Sequence, residues 1–482
     1  MRSRPHRPSI HILDDDSLLN VFFLYRPVLL DEGYRDDYLF FVREREWVRE
    51  RWWFKFTHVC RRWRYLVLGS ASYLRLCLVC TYGTPVADML AHSPLLPLII
   101  MFVDETRETT AEDEGGILLA LQNRDRVRCI HLQMHIQNLQ RVLLAIDDEF
   151  SMLEHMHIEP LTKEDGGPEM ILPQTFQAPH LRHLILSNFA ILMRSPLLTT
   201  AAGLVTLSLE RIYPSSAYFH PNDLLQRLSL MPQIQVLGII LCFLVPIRET
   251  EMQLWDAQTT THITLPNLRC FGFRGVSAYL EALLPRMTTP LLQRLQIIFF
   301  NQLTYTVPHL LQFISTKENL KFRSAEFLFS PQTFSMLLYP HHGSEAYNFG
   351  MEVVSTPFDL QVAYAAQFFD ALGTAFSAVK HITLQPESQL TPIGDRQSTA
   401  DRTQWRKLFR SFGNVKTLCV PDNGLITQVS HSLRPDNEES PMELLPELNK
   451  LEYSAGVDAG DGFTPFVDAR EKAGHPITIA HL

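Results

Sequence analysis

The sequence lacks most of the signatures that mark an enzyme or a membrane protein. It contains no glycine-rich phosphate-binding loop, no Gly-x-Ser-x-Gly nucleophile turn and no His-Glu-x-x-His metalloprotease helix. Its strongest apolar run, residues 237–247, is about half as long as a membrane-spanning helix, which needs ~20 residues. We therefore expect a protein that is not an enzyme, carries no cofactor and does not enter a membrane.

Basic charge and cysteine are also scarce. The chain has 43 Lys and Arg against 52 Asp and Glu, for a formal net charge of -9 and a pI near 6.1. Since nucleic-acid binding usually needs a basic domain, we do not expect it here. The seven cysteines are odd in number and lie within apolar runs, which favours buried, reduced thiols over a disulfide framework. With no secretory signal visible, we expect a protein of the cytoplasm or nucleus.

What the sequence does contain is one repeated pattern, apolar-x-x-apolar-x-apolar. Successive copies begin roughly 23 to 36 residues apart, which overlaps and exceeds the usual period of leucine-rich repeats. The last two apolar positions alternate as in a short strand with one buried face. The clear copies are Val127-Ile130-Leu132, Leu153-Met156-Ile158, Leu181-Leu184-Leu186, Leu204-Leu207-Leu209, Ile234-Leu237-Ile239, Leu268-Phe271-Phe273, Leu292-Leu295-Ile297, Val379-Ile382-Leu384, Val415-Leu418-Val420 and Leu448-Leu451-Tyr453, and the weaker ones are Phe327-Phe329 and Met351-Val353.

Helical segments separate the predicted strands, for example residues 222–231, 277–287 and 307–314. One strand–helix unit cannot bury its apolar side alone. We therefore predict an α/β fold in which the units of residues 96–482 stack into a curved, irregular leucine-rich-repeat-like solenoid, with parallel strands on the concave face. The alternative is an ordinary α/β domain, which also alternates parallel strands with helices.

Residues 10–95 precede the repeats and are predicted to form a helical module. The first helix begins near the acidic residues 14–16, whose side chains can accept hydrogen bonds from the free N–H groups of a helix start. The second spans residues 52–68 and places aromatic and apolar side chains at three- and four-residue steps. An insert at about residues 27–51 separates the two helices, and residues 1–9 are predicted to be a disordered leader.

Two motifs in this module resemble an F-box. The first is Leu13 with Leu18-Leu19 and Val21-Phe22, and the second is the run Val59-Cys60-Arg61-Arg62-Trp63-Arg64. The sequence is similar in particular to the F-box proteins expanded in mushroom-forming fungi, whose chains continue into leucine-rich-like repeats. Residues 58–85 and 466–479 also match that group. The family carries Leu-Pro in the first motif where this chain has Leu13-Asp14, a difference that predicts weaker docking.

The resemblance implies a function. F-box proteins bind a small Skp-type adaptor, which binds a cullin–RING (SCF-type) ubiquitin ligase, and their repeats select the protein substrate for ubiquitin-dependent degradation. This chain would then be a substrate-recognition adaptor, and its implied adaptor contacts are Leu13, Leu18, Leu19, Val21, Phe22, Val59 and Trp63. The alternative is that Leu18, Leu19, Val21 and Phe22 pack only against Trp52 and Trp63, in a repeat scaffold whose helices cap the solenoid without ligase docking.

Side chains between the apolar strand positions should project from the concave face of a solenoid. Several of them are basic although the chain is acidic, so we predict an electropositive stripe that binds an acidic or phosphorylated segment of the unknown substrate. The alternative is a solvated sheet face with scattered charges. The predicted substrate contacts are Arg182, His183, Arg269, Arg274, Arg294 and Lys380.

Potential metal ligands lack the spacing of known metal sites. Cys77-x-x-Cys80 has no second pair at zinc spacing and lies in an apolar stretch, so we expect buried thiols. Two histidine pairs lie beside predicted strands, and we expect them to be solvated surface side chains: His131 with His135, and His155 with His157. We therefore predict no metal site.

Overall fold

The computed structural model describes residues 13–25, 52–93, 95–103, 107–161, 170–190, 193–212, 220–241, 260–300, 307–330, 333–344, 346–354, 358–372, 378–386, 402–435, 440, 442–454 and 462–482. The chain divides into two compact units, residues 1–213 and 214–482. The predicted leader at residues 1–9 and the insert at about 27–51 lie outside the described residues, and the predicted boundary near residue 95 stays a prediction.

The first unit starts with three helices and continues with strands that alternate with further helices. Strands β1, β2, β3, β4, β6 and β8 form a parallel sheet in that order, while β5 pairs with β7. The helices are α1 (Asp15–Tyr25), α2 (Phe54–Thr57), α3 (Arg61–Gly69), α4 (Val86–His92), α5 (Ala111–Leu121), α6 (Ile136–Leu143) and α7 (Pro196–Thr200). The strands are β1 (Leu78–Cys80), β2 (Leu98–Val103), β3 (Val127–His135), β4 (His155–Leu161), β5 (Met170–Ile171), β6 (His183–Ser187), β7 (Phe189–Ala190) and β8 (Thr206–Ile212).

The second unit continues the same alternation. Its main sheet has the order β9-β11-β13-β16-β15-β14-β17-β18-β19-β20, and β10 pairs with β12. The strands are β9 (Val236–Leu241), β10 (Ile263–Thr264), β11 (Cys270–Gly275), β12 (Met287–Thr288), β13 (Arg294–Phe299), β14 (Ser324–Phe329), β15 (Thr333–Tyr339), β16 (Phe349–Val354), β17 (His381–Pro386), β18 (Thr417–Val420), β19 (Lys450–Tyr453) and β20 (Thr478–His481). The helices are α8 (Pro221–Leu228), α9 (Ser277–Leu283), α10 (Pro308–Ser315), α11 (Phe358–Leu372), α12 (Arg402–Arg410), α13 (Asn423–Leu433) and α14 (Thr464–Lys472).

The repeated apolar pattern forms the core of both units. Every side chain of its clear copies is at most 2% exposed. Alternate residues of a strand face opposite sides of the sheet, so the last two positions of each copy share the side that the helices cover. Burying one such side chain stabilises the fold by about 1.5–3 kcal/mol. The repeats and the mixed α/β fold with a large parallel sheet are therefore confirmed.

The predicted helices between strands are confirmed at α8, α9 and α10. Pro221 and Pro308 are the first residues of α8 and α10, where the missing N–H of proline removes no helical hydrogen bond. Among the described residues, no helix combines the length and the apolar character needed to cross a bilayer.

One part of the second unit departs from the predicted parallel array. The strands β14, β15 and β16 occupy reverse order, because β16 pairs with β13 whereas β14 pairs with β17. Strand β15 runs antiparallel to both of its neighbours, so the prediction of parallel strands throughout is wrong there. The physical reason is its period: Phe334, Met336 and Leu338 are buried on one side of β15, and a strand can bury such a face in either direction. The weaker copies of the pattern lie on β14 and β16.

The predicted helix over residues 52–68 is also corrected, since the structure has two helices in its place. Cys60 is extended, with φ -158° and ψ 171°, so α2 ends at Thr57 and α3 begins at Arg61. The Thr57 hydroxyl donates to the carbonyl of Phe54 at 2.8 Å, a local bond that competes with helix propagation. The predicted start of α1 is confirmed, because Asp14 accepts a hydrogen bond from the Ser17 N–H at 2.7 Å.

Buried ionisable side chains connect neighbouring repeats through their backbones. Glu281 on α9, with a side chain 1% exposed, accepts hydrogen bonds from the N–H groups of His309 and Leu310 at 2.8 and 2.9 Å. It therefore caps the start of α10, whose own N-cap residue makes no side-chain bond. At the far end of the chain, Arg470 donates to the carbonyls of Pro446 and Leu448 at 2.9 and 3.0 Å.

We predict that Glu281→Ala lowers the free energy of unfolding by about 2 kcal/mol, because it leaves buried helix N–H groups without acceptors. Urea unfolding followed by circular dichroism measures the change. The matched control is Glu443→Ala, which removes a surface ion pair with Arg410 and should cost less than about 0.5 kcal/mol. Equal losses in the two variants would contradict the capping role.

Candidate functional site

The two sequence motifs each contribute residues to the core of the N-terminal helices. Leu18 and Phe22 of α1 are 0% exposed and Trp63 of α3 is 7% exposed. The Phe22 ring stacks on Phe56 with centroids 4.7 Å apart and meets the edge of Trp63 at 4.9 Å. The predicted adaptor contacts Leu18, Phe22 and Trp63 are therefore enclosed within this chain, because α1 packs this face against α2 and α3.

A second apolar face of α1 is exposed. Val21, Leu24 and Tyr25 are 43%, 81% and 57% exposed and lie three and four residues apart, so they share one side of the helix. We call these three residues the helical patch. The predicted contact Leu19 is half-buried. Leu24 and Tyr25 were missed from the sequence, although their spacing from Val21 is the signal that could have found them.

The remaining predicted adaptor contacts lie where α1 and α3 begin. Leu13 is 36% exposed and Val59 is 55% exposed. Arg62 joins the two segments, because its Nη2 donates to the Leu13 carbonyl at 2.7 Å and to the Asp15 carboxylate at 2.6 Å. The structure thus brings both predicted motifs together and leaves exposed apolar side chains on each.

The sheet of the first unit carries histidines on the face opposite its core. His131 on β3 stacks on His157 of β4 with ring centroids 4.2 Å apart, and His155 of β4 stacks on His183 of β6 at 4.4 Å. Strand register explains these pairs, since His131 lies opposite His157 and His155 opposite His183. His183 also lies 3.1 Å from the Thr206 hydroxyl of β8 through its Nδ1.

The histidines of this face are not the solvated side chains that the sequence led us to expect. His131 is only 7% exposed, although His135 is exposed as predicted. Burial, and then the charge of His183, lower the pKa of His155 to about 3. Burial, and then the neighbouring His131, likewise lower the pKa of His157 to about 3. These two imidazoles therefore stay neutral throughout the physiological range.

Polar and apolar groups border the histidines on either side. Towards β8, Glu210 accepts hydrogen bonds from the hydroxyls of Ser187 and Ser208 at 3.1 and 2.9 Å. Towards β1 lies an apolar cluster on the same sheet face, and its members are Cys77, Val79, Ile99, Met101 and Cys129. Cys77 and Cys80 are buried thiols, as predicted. Within the described ranges, no group of three or more histidine, cysteine or acidic side chains has a geometry that could hold a metal ion.

The predicted substrate contacts mostly lie at the starts of strands. Arg182, Arg269 and Lys380 are exposed and directly precede β6, β11 and β17, while His183 and Arg294 are the first residues of β6 and β13. Arg274 lies instead within β11 and is half-buried. Arg182 and His183 belong to the first unit and the other four residues to the second, so the set is described as two groups.

A row of cations in the second unit contains Lys380 of the predicted contacts and two further residues. Lys380 donates its backbone N–H to the Arg323 carbonyl at 2.9 Å, and Lys416 donates to the Lys380 carbonyl at 2.8 Å. These three exposed residues directly precede the adjacent strands β14, β17 and β18. We call Arg323, Lys380 and Lys416 the basic row. Arg323 was missed because only the reversed order of β14 to β16 places it beside Lys380.

Comparisons with known proteins give little beyond this geometry. No protein-family model matches the chain, and no curated protein matches it. Among solved structures, a chain in the crystal structure of a TLR13–ssRNA13 complex is similar to this one, with 10% sequence identity and a TM-score of 0.24. The match covers 78% of this chain and 60% of that chain, so this chain spans less than two thirds of the solved chain's length. A likeness at this TM-score supports no inference about ligand or partner.

We predict that the stacked histidines destabilise the protein as the pH falls. In the unfolded chain, His155 and His157 take up protons near pH 6.5, whereas in the folded chain they stay neutral down to about pH 3. The stability they contribute is therefore complete above pH 6.5 and is lost progressively between pH 6.5 and 3. Replacing both by Gln should flatten the pH dependence of the unfolding free energy over this range, measured by urea unfolding at a series of pH values. Replacing the exposed His475 by Gln should leave the slope unchanged, and a similar flattening there would contradict the assignment.

Proposed function

We propose that this chain is a non-catalytic substrate-recognition adaptor. Its N-terminal helices form an F-box-like module that docks a Skp-type adaptor of a cullin–RING ubiquitin ligase. Its two units are leucine-rich-repeat-like, and they hold the protein substrate. Within this proposal, the assignment to the F-box family rests on the resemblance of both N-terminal motifs to an F-box.

The helical patch is the observation that supports docking. Leu18 and Phe22 of α1 are fully buried, and yet the helix presents Val21 and Leu24 on a different side. Tyr25 borders the buried side, because its ring meets Phe56 edge-on with centroids 5.2 Å apart, and it still stays 57% exposed. Contiguous apolar side chains on an amphipathic helix are the usual way in which a helix enters a groove on another chain. Leu24, at 81%, is the most exposed residue of the helical patch.

A second candidate function is a repeat scaffold whose N-terminal helices only cap the sheet. One contact favours it. Trp53, which is 3% exposed and precedes α2, donates its Nε1–H to the carbonyl of Cys77 beside β1 at 3.2 Å. This bond ties the helices to the first strand, as a cap requires. Capping explains the buried residues of the module but not the helical patch, so we prefer docking.

We predict that Leu24→Asp abolishes co-purification of the chain with a Skp-type adaptor, because a carboxylate cannot enter an apolar groove without a large desolvation cost. The measurement is pull-down of the tagged full chain with the purified adaptor, quantified by immunoblot. Thermal unfolding of the variant should match the wild type within about 0.5 kcal/mol, since the residue is exposed.

The matched control is Leu144→Asp, which introduces the same charge at a leucine that is 77% exposed at the end of α6. It should bind the adaptor as the wild type does. If the wild-type chain itself fails to bind the adaptor, docking is refuted and the capping role becomes the better account. Equal losses in both variants would show that binding is not specific to the helical patch.

A further inference from the structure

The basic row concentrates positive charge where three adjacent strands of the second unit begin. Neighbouring strands lie ~4.8 Å apart, so three cations on β14, β17 and β18 fall within ~10 Å of one another at their backbones. The register confirms the alignment, since Ser324, His381 and Thr417, the residues that follow them, are paired in sequence across the three strands. The three cations therefore occupy equivalent positions at the starts of their strands.

Several cations among the described residues form ion pairs, whereas those of the basic row do not. Arg62, Arg128, Arg410 and Lys450 each form an ion pair with an acidic side chain at 2.6–2.8 Å. Within the described part of the chain, Arg323, Lys380 and Lys416 form no ion pair. Like charges on neighbouring strands repel, and an anion placed over the row would relieve that repulsion.

Two glutamates lie further along the same sheet. Further along the same strands, Glu326 of β14 is paired in register with Thr383 and, through Cys419, with Glu452 of β19. Glu326 lies three residues beyond Arg323, about 10 Å along the strand. Burial, and then the charge of Glu452, raise the pKa of the Cys419 thiol to about 11. Positions three residues apart on a strand face opposite sides of the sheet, so these carboxylates do not lie over the basic row.

A loop bounds the basic row on one side. Because β15 runs antiparallel, its last residue Tyr339 lies beside Arg323, whose N–H donates to the Tyr339 carbonyl at 2.9 Å. The chain then turns through His342 and Gly343, and the His342 ring stacks on His381 with centroids 4.7 Å apart. Gly343 has φ +78°, a conformation that favours glycine. The stacked rings of His342 and His381 therefore lie next to Lys380.

We infer that the basic row Arg323, Lys380 and Lys416 binds a short anionic segment of a protein partner, carrying carboxylate or phosphate groups. The segment lies across the starts of β14, β17 and β18, with its negative groups over the three cations. This deepens the proposed function by naming the substrate class, and it rests on that function only for the role of the bound protein. The binding itself is a property of the second unit.

The test is fluorescence anisotropy with the full chain and labelled octapeptides at physiological salt. The peptides carry three glutamates, three phosphoserines or three glutamines at the same positions, and an eight-nucleotide single-stranded RNA is the fourth probe. The variant replaces Arg323, Lys380 and Lys416 by Gln. We expect the wild type to bind an anionic peptide and the variant to lose about tenfold or more in affinity, with no binding of the glutamine peptide.

The matched control replaces the exposed residues Lys55, Arg194 and Lys472 by Gln, which changes the net charge equally. Its affinity should stay within about twofold of the wild type. The tighter of the two anionic peptides identifies carboxylate or phosphate as the recognised group. Equal losses in both triple variants, no binding of either anionic peptide, or tighter binding of the RNA than of both peptides would overturn the inference.

The result of the peptide-binding assay does not depend on ligase docking, because no Skp-type adaptor is present in that assay. Leu24→Asp should bind the anionic peptide as the wild type does, and the triple Gln variant should still co-purify with the Skp-type adaptor. Failure of peptide binding with intact docking would overturn the basic row alone, and failure of docking with intact peptide binding would overturn the proposed function alone. Thermal unfolding of each variant confirms that the exposed substitutions leave the fold intact.

Discussion

The fold depends on one constraint: a strand with a single apolar face must place that face against helices, and its backbone must pair on both edges. In the first unit this is met by stacking strands in sequence order, each paired in parallel with the next. The last two apolar positions of each repeat then fall on the same side of the sheet, and all three positions are almost fully buried. Because every repeat shares its pairing and its core with two neighbours, no repeat is stable alone.

The same constraint decides which face of a strand is buried and requires that both of its sides are paired. It does not decide the direction of the strand or its order in the sheet, which accounts for the reversed strands of the second unit. β15 keeps Phe334, Met336 and Leu338 on the buried side while it runs against its neighbours. The apolar core therefore continues through the reversal without interruption. The reversal changes the loops at one end of the strands, because an antiparallel strand ends where its parallel neighbours begin. The loop with His342 beside the basic row is a consequence of that single change of direction.

The sequence predicted the features that depend on local periodicity. The apolar pattern, the helices α8 to α10 and the acidic start of α1 are all read from neighbouring residues, and all are found in the structure. Contacts across repeats could not be predicted, because their partners lie more than twenty residues away and no local signal marks them. The cap that Glu281 gives to α10, the stacked pairs of His155 and His157, and the contact of Arg323 with Lys380 are of this kind. Of the candidate site, the motifs and Lys380 were predicted, whereas the exposure of each residue was not.

The two candidate surfaces differ in the force that would drive binding, and this difference separates their roles. The helical patch offers apolar area, whose burial stabilises a complex at any ionic strength and adds little directional preference. The basic row offers charge, whose attraction is screened by salt and depends on the pattern of the partner's anions. A constant partner is best held by the first kind of surface and a selected partner by the second. The proposed adaptor would need both kinds of surface, one to keep a ligase and one to choose among substrates.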